Sequence, residues 1–228
     1  GRICFAVVGV FLLEQRNGKV VSTDKYTPLS FYNKLWGYDL NNDYVLVMND
    51  PSREYYKVYQ IEYDRHTYDG HDWVYLNLPN EEVKPMLIAS LKDSTAMYIS
   101  CDVNKFLNRQ KGVMDLKNFD YESLLGVTMT MDKKERIITH ASASSHAMTL
   151  IAVDIDKATS KPTKWMVENS WGKENGFKGN YIMTDEWFNE YMFRFVLNKK
   201  YVPESVAKLL KQKPIKLPAW DPMFAPEE

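Results

Sequence analysis

Two short stretches carry residue types that could do chemistry together: Ser145-His146-Ala147-Met148-Thr149 and Val167-Glu168-Asn169-Ser170-Trp171-Gly172. Both adjoin runs with strand composition, Ala147 to Ile155 and Thr163 to Val167, separated by the polar turn Lys157 to Pro162. Such a pattern reads as an antiparallel hairpin with a longer loop. His146 then opens the first strand and Asn169 closes the second, so the two meet at one end. An Asn carboxamide beside an imidazole accepts its N–H and fixes its tautomer, which frees the other ring nitrogen to exchange a proton with a nucleophile. Trp171 is placed to cover the pair, and excluding water strengthens the polar contacts beneath it. Spacing alone does not exclude a satisfied histidine and a turn asparagine, because His/Asn pairs are common.

Other residues compete for attention. His66 and His71 flank Tyr68-Asp69-Gly70, with Asp64 and Asp72 nearby. His and Asp both ligate zinc, but the spacing is not a helical i, i+4 pair and no Cys is near, so a solvated loop is the expectation and no metal is assigned. His140 precedes a Ser/Ala-rich stretch and reads as a loop residue. There is no Gly-rich phosphate loop and no Ser nucleophile elbow, and no cofactor is called for. Cys101 ends an apolar run and Cys4 lies in another. Two cysteines make no disulfide framework, which fits a reducing, cytoplasmic compartment.

Several elements must position the hairpin. Thr27 and Pro28 begin a short helix to Leu35, with Pro in its first turn. Tyr44 to Met48 and Tyr55 to Tyr63 have strand character. Asn80 is the expected cap of a helix from Glu81 to about Leu91, whose acidic first turn suits the helix dipole. Ala96 to Ser100 reads as a strand, Asp102 to Leu107 as a short helix, and Tyr121 to Thr130 as either helix or strand. Further on come a strand over Lys178 to Met183, a helix over Asp185 to Tyr191 capped by Thr184, and a strand over Phe193 to Leu197. Pro203 to Lys211 reads as a helix. Prolines at 214, 218, 222 and 226 then keep the tail extended, with Trp220 as its expected anchor. The Asn17-Gly18 pair is a turn signal between Val7–Glu14 and Lys19–Ser22.

With 228 residues, 45% hydrophobic and 26% charged, the chain can bury one sizeable core. A net charge of -1 with interspersed signs provides no basic field for nucleic acid or an anionic membrane. The aromatic residues read as core and interface rather than base-stacking platforms. The apolar run Ile3 to Leu13 is too short to span a bilayer. It is read as a buried element, with the core of an export signal as the alternative.

Taken together, the segments resemble one family. Glu168-Asn169-Ser170-Trp171-Gly172, with Gly176 and Gly179, resembles the asparagine region of papain-like cysteine peptidases. Thr27-Pro28-Leu29-Ser30-Phe31-Tyr32, Cys101-Asp102-Val103, His146-Ala147-Met148-Thr149, Met183-Thr184-Asp185-Glu186-Trp187-Phe188 and Leu217-Pro218-Ala219-Trp220-Asp221-Pro222-Met223 are similar to the bleomycin hydrolase/aminopeptidase C branch. The resemblance implies an α+β, papain-like fold, here mainly the β-rich lobe that bears His and Asn, with much of the helical lobe missing. It implies a peptidase domain over residues 1–211 and an extended arm over 212–228. It further implies a Cys–His–Asn aminopeptidase acting on peptides, with His146 and Asn169 catalytic and Trp171 supporting, and a homohexamer whose C-terminal arm lies in the cleft.

The nucleophile is where the sequence departs from the family. Cys101 matches a non-catalytic family position. Gly1-Arg2-Ile3-Cys4-Phe5-Ala6 is only faintly similar to the nucleophile motif and has no upstream oxyanion Gln. Its separation from His146 fits the roughly 130–150 residues of simpler papain-like enzymes, not the longer spacing of this branch. A thiol at a helix start beside an imidazole ionises readily, whereas one among buried apolar groups is inert. The alternative function is therefore a catalytically inactive peptide-binding or assembly module of the same fold.

Overall fold

A computed structural model describes residues 9–10, 13–16, 19–22, 25–35 and 38–224. Cys4, most of the run from Ile3 to Leu13 and the Asn17-Gly18 turn fall outside them. Chain contacts divide into two units, one up to Asp43 and one from Tyr44 onward.

In the first unit, β1 (Gly9–Val10) will pair antiparallel with β4 (Lys25–Tyr26), and β2 (Leu13–Arg16) pairs with β3 (Lys19–Ser22), setting Arg16 opposite Lys19. α1 (Pro28–Leu35) begins where Thr27 and Ser30 exchange hydrogen bonds: Ser30 N donates to Thr27 Oγ1 at 3.1 Å and Thr27 N to Ser30 Oγ at 2.9 Å. The exchange satisfies donors that a helix start leaves open. α2 (Leu40–Asp43) is a single turn.

The second unit is built on one sheet of eleven strands. β5 (Tyr44–Met48), β6 (Lys57–Ile61) and β7 (Trp73–Asn77) come first, followed by helix α3 (Asn80–Lys92). β8 (Met97–Cys101), β9 (Leu107–Asn108) and β10 (Val113–Met114) lead into a crossover bearing α4 (Tyr121–Leu125) and α5 (Lys133–Ile138). The hairpin of β11 (His146–Ile155) and β12 (Pro162–Glu168) follows, then β13 (Asn180–Thr184), α6 (Asp185–Tyr191) and β14 (Met192–Asn198). α7 (Glu204–Ala207), a 3₁₀ turn (Lys208–Lys211) and β15 (Ile215–Leu217) complete it. The sheet order is β15-β6-β7-β5-β14-β8-β11-β12-β13-β10-β9.

Apolar alternation explains how the sheet is covered. β14 sends Phe195 and Leu197 into the larger core cluster with Trp165, Trp187 and Phe188, and Phe193 into a smaller one with Met48, Tyr59, Ile61 and Tyr75. Phe193 and Phe195 are two residues apart, and a register shift between Met192 and Arg194 in the pairing with β8 breaks the alternation there, so one strand feeds both clusters. Thr184 caps α6 as its sequence suggests, accepting from Trp187 N at 3.3 Å.

Three local expectations need correction. Asn80 does not cap α3: it is the first helical residue, after Pro79, and its side chain donates to Asn189 Oδ1 at 3.1 Å instead. Between Asp102 and Leu107 the chain forms turns, not a helix, and Leu107 already opens β9. There Asp102 Oδ2 accepts from Ser142 Oγ at 2.7 Å, and a side chain so engaged competes with helix formation. The helix over Pro203 to Lys211 tightens to 3₁₀ after one α-helical turn.

The described part of the tail runs as a short strand and then turns, and it is attached, but not by Trp220, which is 77% exposed. β15 pairs parallel with β6 at the sheet edge, and buried Asp221 pairs with Arg53. Phe224 packs against Trp73 and Tyr75, with ring centroids 5.9 Å apart in each case. Arg194 lies over both Trp73 and Phe224, at 5.0 and 4.4 Å from their ring centroids, and its Nη2 donates to Met223 O at 2.9 Å. Aspartate, methionine and phenylalanine have complementary surfaces waiting for them; the indole does not.

Candidate active site

The hairpin delivers its two ends as the spacing implies. His146 is the first residue of β11 and Asn169 follows the last residue of β12. Leu150 lies opposite Val167 and Thr149 opposite Glu168. On its other side His146 is opposite Cys101 of β8. The approach to β11 is tied down by Ser145 N donating to Cys101 O at 3.0 Å and by the Ser100 and Ser144 hydroxyls, 2.7 Å apart.

His146 Nε2 and Asn169 Oδ1 are 2.9 Å apart. The same Oδ1 accepts from Ser170 N at 2.7 Å. A backbone N–H can only donate, so this atom is the carboxamide oxygen and the Asn orientation is fixed. His146 Nε2 must then carry the proton it shares with Oδ1, leaving Nδ1 as the bare, basic nitrogen. The opposite Asn169 atom, Nδ2, is buried without a partner. An orphaned donor of this kind costs about 1–3 kcal/mol, which the surrounding loop must offset.

Trp171 covers the pair. Its ring lies 4.8 Å from the imidazole centroid at 38°, and 5.9 Å from the Tyr181 ring at 76°. Arg109, which the sequence reading passed over, closes the outer side with its guanidinium 4.5 Å from the indole centroid. A lone exposed arginine in a turn gives no local signal of that role.

The loop from Asn169 to Gly179 is held by backbone geometry. Asn169 N donates to Gly179 O at 2.9 Å, and Asn175 Nδ2 donates to Trp171 O at 2.6 Å. Gly176 has φ +60, and a Cβ there would sit 2.5 Å from Asn180 O and 2.6 Å from Tyr181 Cδ1. Only glycine combines that backbone with that approach.

Among the described residues the free cysteine is Cys101. Cys101 shares a cross-strand position with His146 but is wholly buried, and burial, with Asp102 adding to it, pushes its thiol far above the usual range. It cannot supply a thiolate. Cys4 lies outside the described residues. His66 and His71 are exposed in the β6–β7 connection and His140 follows α5; none of the three joins the His146 site. Among the described residues, no group of three or more His, Cys, Asp or Glu is placed to hold a metal, and no helix is long and apolar enough to cross a membrane.

The chain is similar to known proteins along most of its length. The model of the Peptidase C1-like family matches residues 10–224. Human bleomycin hydrolase is 43% identical over 204 residues, covering 87% of this chain and 45% of that protein. Aminopeptidase C of Lactobacillus delbrueckii subsp. lactis is 39% identical with the same coverage. The crystal structure of PepW from Lactobacillus rhamnosis HN001 superposes with a TM-score of 0.83 at 34% identity, covering 88% of this chain and 46% of that one. The fold is therefore papain-like, and the chain spans less than half the length of the relatives it matches.

Proposed function

Because this chain belongs to the Peptidase C1-like family, we propose that it supplies the base-bearing part of a cysteine aminopeptidase. His146 is the general base and acid, Asn169 its orienting partner and Trp171 the cover. The observation that carries this reading is the 2.9 Å contact from His146 Nε2 to Asn169 Oδ1, with Oδ1 identified as oxygen by Ser170 N.

The reaction this arrangement serves is acyl transfer through a thiol. Nδ1 of His146 takes the thiol proton, and the thiolate attacks the peptide carbonyl. The imidazolium, its Nε2–H still held by Asn169, returns a proton to the leaving amine. Water then resolves the thioester with His146 as base again. The substrates are peptides with a free amino terminus, and the assembly is a homo-oligomer, hexameric in this branch.

One observation favours a second reading, an inactive peptide-binding module. Cys101 is the free cysteine among the described residues, and it is inert. Hydrolysis of amino-acid arylamides separates the two. The 228-residue chain alone is expected to be inactive. Joined in one polypeptide to the region of an aminopeptidase relative that it does not match, it is expected to turn over, and His146→Ala to abolish turnover. Full activity in that variant would remove His146 from catalysis. Turnover by the chain alone that Cys4→Ala destroys would make Cys4 the nucleophile.

A further inference from the structure

Two turns beside Trp171 are packed on each other. One, from Asn108 to Gly112, joins β9 to β10, and the other runs from Gly172 to Gly179. A Cβ on Gly112 would fall 2.5 Å from Gly176 Cα and 3.1 Å from Asn180 O. Gly112 O also accepts from Ile182 N at 2.8 Å. At that closeness the two turns form one rim at the cover of the imidazole.

The rim is basic. Arg109, Lys111, Lys173 and Lys178 are all exposed, against one acid, Glu174. Among the described residues, none of these four side chains has an ion pair or a hydrogen bond, and Glu174 pairs with none of them. Exposed lysines elsewhere in the chain do find acids: Lys200 with Asp93, Lys208 with Glu204 and Lys216 with Glu62. A surface of one sign concentrates ions of the other. Arg109 is the cation tied to the site. Its guanidinium is 4.5 Å from the Trp171 ring centroid, and that ring is 4.8 Å from the imidazole centroid. A cation–π contact holds the charge over the ring but takes up no N–H donor, so the planar fork that matches a carboxylate stays open.

The chemistry assigned to His146 says which carboxylate can arrive. The imidazolium returns a proton to the leaving amine, so that amine comes within hydrogen-bond reach of the ring. The residues beyond the cleaved bond therefore start beside the imidazole. The two ring contacts that separate it from Arg109 are spanned by about one to three extended residues, at about 3.3 Å each. We propose that this rim, through Arg109, binds a carboxylate on the leaving side of the peptide. That group is the terminal carboxylate of a short peptide or an acidic side chain next to the cleaved bond. Its place in the reaction rests on the proposed role of His146; the binding itself needs no turnover.

The 228-residue chain can be titrated with fragments that stand for the leaving part of a substrate. Ala-Ala against Ala-Ala-amide tests the terminal source, and Ala-Glu-amide against Ala-Gln-amide the side-chain source. The indole N–H resonance of Trp171 and the backbone amides of residues 108–112 and 172–179 report occupancy. In at least one pair the carboxylate member should bind about fivefold more tightly, the order expected of a carboxylate among exposed cations. In about 1 M salt, where the screening length is about 3 Å, the preference should fall below about twofold. Arg109→Gln should reduce it to the same extent at low salt.

A preference in the first pair alone assigns the terminal carboxylate, and one in the second pair alone assigns the side chain; either supports the rim, as does a preference in both. Equal affinities in both pairs, no binding of any of the four fragments, or a preference that survives Arg109→Gln would overturn it. No peptide bond is cut in these titrations. A joined enzyme without activity would therefore overturn the role of His146 and leave the carboxylate site standing.

Discussion

The chemistry turns on which atoms of two side chains face each other. Imidazole has two nitrogens, and a neutral ring can place its proton on either. Asn169 settles the choice because its oxygen is already committed to the Ser170 N–H. Nε2 therefore donates, and Nδ1 is left bare. Trp171 makes the arrangement durable by covering one side of the ring, and Arg109 covers the indole in turn. The same reasoning excludes Cys101. It stands opposite His146 in the ladder, yet a thiol sealed among apolar side chains keeps its proton.

At the scale of elements, the site depends on a hairpin and the tight loop that follows it. The loop must reverse within a few residues so that Asn169 and Trp171 reach the same imidazole. Gly176 makes that reversal sterically feasible. Gly176→Ala should destabilise the second unit by about 2 kcal/mol, the cost of a strained positive φ combined with a backbone clash. Denaturant titration would show it as a lowered midpoint with an unchanged slope. The hairpin was legible in the sequence because both strands have β-branched runs bounded by turn residues, and the motif from Glu168 to Gly172 marks its end. The capping of α6 by Thr184 was legible for the same local reason. Other features were not. Asn80 resembles a cap by type, but whether an Asn caps or reaches across to Asn189 depends on a helix more than 100 residues away in sequence. The turns after Cys101 depend on Ser142, which no local pattern links to Asp102. The burial of Lys133 is a tertiary outcome, since the sequence shows only a lysine in a charged stretch. α5 itself went unread, although Asp132 and Glu135 form a reciprocal capping box.

At the scale of the whole molecule, the tail returns the chain to the far edge of the sheet and then crosses toward β14. Its attachment combines a strand pairing, an ion pair and aromatic stacking, in place of the single tryptophan anchor the sequence suggested. Aspartate at 221 is the polar centre of that attachment, with its side chain 1% exposed against 31% for Arg53. Asp221→Ala should cost about 2 kcal/mol, because it removes a charged hydrogen bond and leaves Arg53 only partly hydrated. It should also make the segment from Pro214 onward the first site of proteolytic cleavage. A variant as stable and as resistant as the native chain would show that the aromatic contacts suffice alone. The papain-like fold is shared with relatives of which the chain spans less than half the length.

The most direct test of the account is the protonation of His146 itself. Long-range ¹H–¹⁵N correlation distinguishes the two ring nitrogens. The account predicts a proton on Nε2 and a bare Nδ1, with an Nε2–H signal that exchanges slowly and disappears in Asn169→Ala. A proton on Nδ1, or an Nε2–H that exchanges equally fast with and without Asn169, would contradict it.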